Sequence, residues 1–147
     1  NFVFIIKKHF YHRFEKEDLS EYLNIFDISS EENIDSQVLL SQTDILITDY
    51  SACFIDFLLL NRPIILYQYD ILEFQKNERS FFIPFSQLNN GEKPKTKLEL
   101  NNTIKEYISG YADKYIEERA KLSMFYFNSL EPNKGRHNVF KILNKII

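Results

Sequence analysis

Asp44-Ile45-Leu46-Ile47-Thr48-Asp49-Tyr50-Ser51-Ala52 is the stretch whose reading decides the fold. A short continuous apolar run ends at Thr48, the chain turns through Asp-Tyr-Ser, and an almost wholly apolar segment, Ser51 to Leu60, follows. Such a run is too short for a helix and rich in β-branched residues, so it reads as a buried strand leading through a turn into a helix. Working outward, Phe2 to Ile6 and Ile64 to Tyr67 have the same character, and Ile25 to Ile28 is a weaker strand candidate. Runs that are continuous rather than alternating predict strands covered on both faces, as in a parallel sheet flanked by helices. Helices are expected at Lys16 to Leu23, Ser36 to Gln42 and Ser51 to Leu60, which gives an α/β arrangement of βαβ units. The second half changes character. Phe74 to Pro94 reads as a long loop, followed by helices at Lys97 to Ser109, Ala112 to Phe127 and Arg136 to Ile147, with Pro132-Asn133-Lys134-Gly135 separating the last two.

Composition narrows the class. A chain of 147 residues, 44% hydrophobic and 27% charged, has the balance of one soluble globular domain, so residues 1–147 are read as a single domain. A net charge of −3 gives no general electrostatic footprint for nucleic acid, and no nucleic-acid partner is expected. One cysteine forms no internal disulfide and no metal cluster, which fits a reducing, cytoplasmic compartment. No apolar run approaches the roughly 20 residues that span a bilayer. Asn1 is followed at once by a strand-like run, so the chain is expected to be one domain of a longer protein.

In an open parallel sheet, ligands bind beyond the carboxyl ends of the strands. Those positions hold Lys7, Lys8 and His9 after the first strand, Asp49, Tyr50 and Ser51 after the third, and Gln68, Tyr69 and Asp70 after the fourth. Two lysines, a histidine and several hydroxyls along one edge suit an anionic ligand. Ser51 at a helix start adds a hydroxyl to free backbone N–H groups, an arrangement that favours phosphate. The same residues also fit a plain N-cap by Asp49 or Ser51. The glycines of a P-loop or dinucleotide fingerprint are absent, and no metal site or cofactor is expected.

Thr48-Asp49-Tyr50-Ser51, Phe54-Ile55-Asp56-Phe57 and Arg62-Pro63-Ile64-Ile65-Leu66-Tyr67-Gln68-Tyr69-Asp70 together resemble the CDP-glycerol glycerophosphotransferase family of teichoic acid and capsule synthesis. Arg79, Phe81 and Phe82 stand where that family has an Arg and an aromatic pair. Asp35 to Leu40 and Lys8-His9 resemble its upstream elements, and Lys134-Gly135-Arg136 resembles an element before its final helix. The resemblance implies a GT-B architecture of two Rossmann-like halves, of which this chain is the C-terminal, donor-binding half with extra C-terminal helices. It implies transfer of glycerol phosphate, or a related polyol phosphate, from a CDP-activated donor to a lipid-linked polymer, with release of CMP. Partners would be the donor nucleotide, an N-terminal acceptor domain of the parent chain and the lipid-linked acceptor. The parent would sit peripherally at the inner face of the membrane, and the domain alone would turn over little. Two rival readings are a GT-B glycosyltransferase domain using a sugar nucleotide and a non-catalytic GT-B-like interaction domain.

Carried over residue by residue, His9 is the catalytic candidate beside the donor diphosphate, since histidine changes charge near neutral pH. Lys8, Ser51, Ala52, Arg79 and Arg136 are the donor- and phosphate-binding candidates, with Lys7 the alternative to Lys8. Asp49 is expected to fix the turn, because a carboxylate beside a diphosphate repels it. Asp56, flanked by apolar residues, is expected to be structural and to meet a donor. Cys53 reads as a small core residue. Two positions depart from the family pattern: Phe10 replaces its proline after the histidine, and Ala52 replaces its second serine. The aromatic residues after position 110 read as helix packing, or as contacts to the other half or to lipid.

Overall fold

The computed structural model describes residues 2–9, 12, 18–31, 33–77 and 88–127, and the chain divides into two compact units, residues 1–42 and 43–147. In the first unit, β1 (Phe4–Ile6) and β2 (Ile25–Asp27) run parallel in the register Phe4 to Ile25, Ile5 to Phe26 and Ile6 to Asp27. Helix α1 (Ser36–Gln42) follows at the predicted residues, with the Asp35 carboxylate accepting from the Gln37 amide at 2.7 Å. The expected helix over Lys16 to Leu23 does not form where it is described. Residues 18–23 turn instead, because Asp18 Oδ1 takes both the Ser20 amide and the Ser20 hydroxyl, at 3.0 and 2.6 Å. A local Asx turn of this kind competes directly with helical hydrogen bonding.

In the second unit, β3 (Leu46–Thr48) and β4 (Ile64–Leu66) are parallel, joined through α2 (Cys53–Phe57) and a 3-10 turn at Leu58–Leu60. The expected single helix from Ser51 to Leu60 is therefore shorter and tightens at its end. Strand β4 is the central one. It pairs with β3 on one side, and on the other Leu66 donates to the Glu92 carbonyl at 2.8 Å while Glu92 donates to that of Ile64 at 3.1 Å. Gly91 permits this approach: a Cβ there would lie 2.0 Å from the Ile64 carbonyl oxygen. Among the described residues, the buried hydrophobic ones, Leu46, Phe54, Phe57, Leu58, Ile64, Ile65, Leu66 and Leu88, all belong to this unit.

Among the described strands, coverage of both sheet faces is realised only at β4, which is buried throughout. The registered pair Ile5 and Phe26 is 49% and 51% exposed, and Ile47 in β3 is also exposed. A continuous apolar run signals burial on both faces only where neighbours exist on each side, and the described strands pair in twos.

Helix α3 (Ile71–Asn77) runs past Phe74, where a loop was expected to begin, and in its first turn the Asp70 carbonyl accepts from Glu73 and Phe74. Helix α4 (Lys97–Ile108) starts at a capping box in which Thr96 Oγ1 and the Glu99 amide, and Glu99 Oε2 and the Thr96 amide, bond reciprocally at 3.2 Å. It ends in a Schellman turn, with Gly110 at φ 82° and the Tyr111 and Gly110 amides donating to Glu106 and Tyr107.

Helix α5 (Ile116–Phe127) starts later than the expected Ala112, because Asp113 caps the Tyr115 amide and faces Arg119. Arg119 is fully buried. Its guanidinium makes a fork with Asp113, donates Nε–H to Asn61 Oδ1 at 3.2 Å, and reaches the carbonyls of Asn61 at 3.2 Å and Asn90 at 3.5 Å. Asn61, in the left-handed region at φ 48°, thereby fastens the end of the 3-10 turn to α5. The helix expected over Arg136 to Ile147 lies outside the described residues.

Candidate functional site

The carboxyl edge of β3 and β4 carries a turn built from the decisive sequence stretch. After Thr48, Asp49 Oδ1 accepts the Ser51 amide at 3.2 Å, and Ser51 Oγ accepts the Cys53 amide at 3.3 Å. These two bonds run in series through side chains two residues apart, so the turn closes on itself and leaves Asp49, Ser51 and Ala52 exposed at its tip. A hydroxyl carries one hydrogen and two lone pairs. With a lone pair of Ser51 Oγ given to Cys53, its hydrogen is available to an oxygen beyond the edge. Ala52 is the N-cap of α2 and provides no side-chain cap. Because α2 has only five residues, its dipole adds less than that of the longer helix expected from the sequence. The polar character of the edge rests on the turn itself.

Three residues that follow β4, Gln68 and Asp70 in the loop and Phe74 in α3, hold the turn in place. The Tyr50 hydroxyl donates to Asp70 Oδ1 at 2.6 Å, and the Tyr50 ring stacks on Phe74 at 3.8 Å between centroids and 13° between planes. Gln68, 1% exposed, donates Nε2–H to the Asp49 carbonyl at 2.9 Å. Burial first, and then the Asp70 carboxylate, push the Tyr50 hydroxyl above the ordinary tyrosine range, so it stays a donor. Tyr67 and Tyr69 sit 5.1 Å apart beside this loop, Tyr69 exposed. Arg62 lies at the opposite, amino end of the strands, donating to the Thr43 carbonyl at 2.8 Å. Asp56 sits half-buried in the first turn of α2.

The first unit carries Lys8 and His9 at the carboxyl end of β1. The Lys8 amide donates to Ser29 Oγ at 2.8 Å and its ammonium pairs with Asp27 Oδ2 at 3.0 Å, both ends largely covered. The Ser29 amide in turn donates to Asp27 Oδ1 at 2.9 Å. Burial works against the Asp27 charge, yet the bonds from Ser29 and the Lys8 ammonium hold its carboxyl below the usual carboxylate range. Lys8 thus ties β1 to β2, while Lys7 is exposed and reaches the Glu31 carbonyl at 3.3 Å. His9 is exposed, its carbonyl accepting from the His12 amide at 2.8 Å.

Of the candidates, Asp49, Ser51, Ala52 and Asp56 come together in the second unit, and Lys8 and His9 in the first. Arg79, Arg136, Phe10, Phe81 and Phe82 lie outside the described residues. Residue order alone does not reveal the ties made by Tyr50, Gln68 and Asp70. Their signal was positional: all three follow paired strands on the same edge. Among the described residues, no three His, Cys, Asp or Glu side chains are grouped to hold a metal ion, and no helix is long and apolar enough to cross a membrane.

Comparison with known proteins sets this geometry in a family. The family model for CDP-glycerol:poly(glycerophosphate) glycerophosphotransferase matches residues 1–145. A teichoic acid glycerol-phosphate transferase of Staphylococcus aureus is 32% identical over 121 residues, 81% of this chain and 30% of that protein. A teichoic acid poly(glycerol phosphate) polymerase of Bacillus spizizenii is 38% identical over 96 residues, 65% of this chain and 24% of that protein. Among solved structures, the wall teichoic acid polymerase TagF, as a histidine-to-asparagine variant soaked with CDPG, gives a TM-score of 0.75 at 25% identity. That match covers 99% of this chain and 35% of TagF. The chain therefore spans about a third or less of the proteins it matches. With the family model running over almost every residue, and the parallel strands and Ser51 turn inside its span, the chain belongs to the CDP-glycerol:poly(glycerophosphate) glycerophosphotransferase family.

Proposed function

We propose that this chain is the donor-binding part of a transferase that moves glycerol phosphate, or a related polyol phosphate, from a CDP-activated donor to a lipid-linked polymer. The observation that carries this reading is the family match across residues 1–145. The similarity over nearly the whole chain to a polymerase structure soaked with CDPG supports it. The acceptor hydroxyl attacks the β-phosphorus of the donor, the bond from that phosphorus to the bridging oxygen breaks, and CMP leaves with the electron pair. The hydroxyl proton passes to a base supplied by the rest of the parent protein, which also brings the lipid-linked acceptor at the membrane face.

In this reading the Ser51 hydroxyl and the exposed turn around it donate to phosphate oxygens, and donors aimed at developing charge lower the barrier. Asp49 and Asp70 put two carboxylates on the same edge, so the diphosphate needs cations as well. The family resemblance gives His9, Arg79 and Arg136 that role, whereas the Lys8 ammonium is already paired with Asp27 within its own unit. Ala52 offers backbone only, one hydroxyl fewer than the family pattern.

Calorimetric titration with CDP-glycerol, CDP, CMP and UDP-sugars tests the reading. Binding of the cytidine diphosphate ligands, weakened in Ser51→Ala and His9→Ala, is the expected result. Binding of a UDP-sugar with none of CDP-glycerol replaces the substrate by a sugar nucleotide. Binding of neither, in the chain and in the full-length parent alike, moves the protein to a non-catalytic role.

A further inference from the structure

The Ser51 turn is held by a neighbour outside the residues singled out for chemistry. Tyr50 lies between Asp49, which fixes the turn, and Ser51, at its tip. Its hydroxyl crosses to Asp70, 20 residues on, at 2.6 Å, and its ring is clamped flat against Phe74 of α3. Gln68 adds a second tie from the same loop to the Asp49 carbonyl. The Ser51 turn has few packing contacts of its own, since Asp49, Ser51 and Ala52 are exposed. Two loops that follow parallel strands are thereby locked across the sheet edge by one phenol, one carboxylate and one amide. A turn fixed in this way has its donors aligned before a ligand arrives, which lowers the ordering cost of binding.

We propose that Tyr50 and Asp70 are positioning residues for the donor: their hydrogen bond, with the Phe74 stack, holds the Ser51 turn in the geometry that meets the diphosphate. This rests on the donor reading of the preceding section. Neither residue touches the ligand in this account. The Tyr50 hydroxyl satisfies one oxygen of the Asp70 carboxylate, which keeps its negative charge on the edge.

Tyr50→Phe keeps the ring and removes only the donor, and Asp70→Ala removes the acceptor. Calorimetric titration with CDP-glycerol is expected to show Tyr50→Phe weakened about tenfold, the scale of one hydrogen bond to a charged group, and Asp70→Ala weakened less, because it also removes a negative charge from the edge. The double variant is expected to be no weaker than either single one. In the unliganded chain, amide hydrogen exchange at Ser51 and Cys53 should accelerate in Tyr50→Phe while Leu46 and Leu66 of the strands, whose amides are bonded to the Pro63 and Glu92 carbonyls, keep wild-type rates. A general loss of stability would instead speed all of these amides together, and that result overturns the positioning role. Wild-type affinity in Tyr50→Phe, or losses that add in the double variant, overturns it as well. If neither the wild-type chain nor the full-length parent binds CDP-glycerol, the donor reading falls, and the exchange at Ser51 and Cys53 alone decides whether the pair holds the turn.

Discussion

Replacing Arg119 by Met removes the only charged group that is fully buried among the described residues, and the structure sets the size of the effect. The guanidinium serves a carboxylate, Asp113, that is 12% exposed on its side chain, together with the Asn61 side chain and two backbone carbonyls. Methionine fills much of the volume, so the loss is electrostatic rather than a cavity. Removing one member of a buried pair strands the other and costs about 3–5 kcal/mol. Orphaned acceptors cost about 1–3 kcal/mol each, but they share one donor group, so the terms do not add. A loss of about 3–5 kcal/mol is a large fraction of the roughly 5–15 kcal/mol that holds a domain together. In a unit of this size it lowers the thermal midpoint by at least about 12 °C. Urea unfolding followed by far-ultraviolet circular dichroism measures it. The double variant Arg119→Met with Asp113→Ala should recover part of the loss, because no charge is left without its partner. A single variant within about 1 kcal/mol of wild type, or a double variant less stable than the single one, would refute the reasoning.

Gly91→Ala places a Cβ 2.0 Å from the Ile64 carbonyl oxygen, so β4 and the Glu92 segment must separate. Thermal melting should show a loss of about 1–3 kcal/mol. For Asp27 the folded-state carboxyl is depressed, so its contribution is fully present above about pH 4 and is lost as pH falls through the lower folded value. The stability gap between wild type and Asp27→Asn should therefore close on acidification, and a gap that stays constant counts against the Lys8 and Ser29 ties. For Tyr50 the hydroxyl is raised, so its contribution is complete below about pH 10 and is lost as pH rises toward the folded value. Ultraviolet titration should show that Tyr50→Phe removes one phenol from the late-ionising group. Tyr107, pushed up to about 12 by burial and by Asp113 and Glu92, remains in that group.

Much of this architecture is legible in the sequence because it is local. The apolar runs place the strands to within two residues, and Ser36 to Gln42 is helical as its pattern indicates. The sharp turn after Thr48 follows from Asp-Tyr-Ser, residues whose side chains bond amides two positions on. What was not legible depends on distant partners. Arg119 is not singled out in the sequence, and its partners Asn61 and Asn90 lie 58 and 29 positions away. Exposure of Ile5 and Phe26 is likewise a property of which strands pair, which an apolar run does not reveal. The failed helix near Leu19 shows the opposite case, in which one aspartate overrides a favourable pattern by offering its own hydrogen bonds. The site follows the same division: Ser51 and Asp49 are visible as a turn, and the Tyr50–Asp70 tie appears only once β3 and β4 are set side by side.

The central claim, that the turn at Ser51 meets the donor diphosphate, is tested most directly by phosphorus NMR of CDP-glycerol titrated with this chain. The account predicts that both diphosphate resonances shift and broaden with the wild type and move far less with Ser51→Ala at equal protein concentration. Equal shifts with wild type and Ser51→Ala would contradict it, by placing the diphosphate away from this edge.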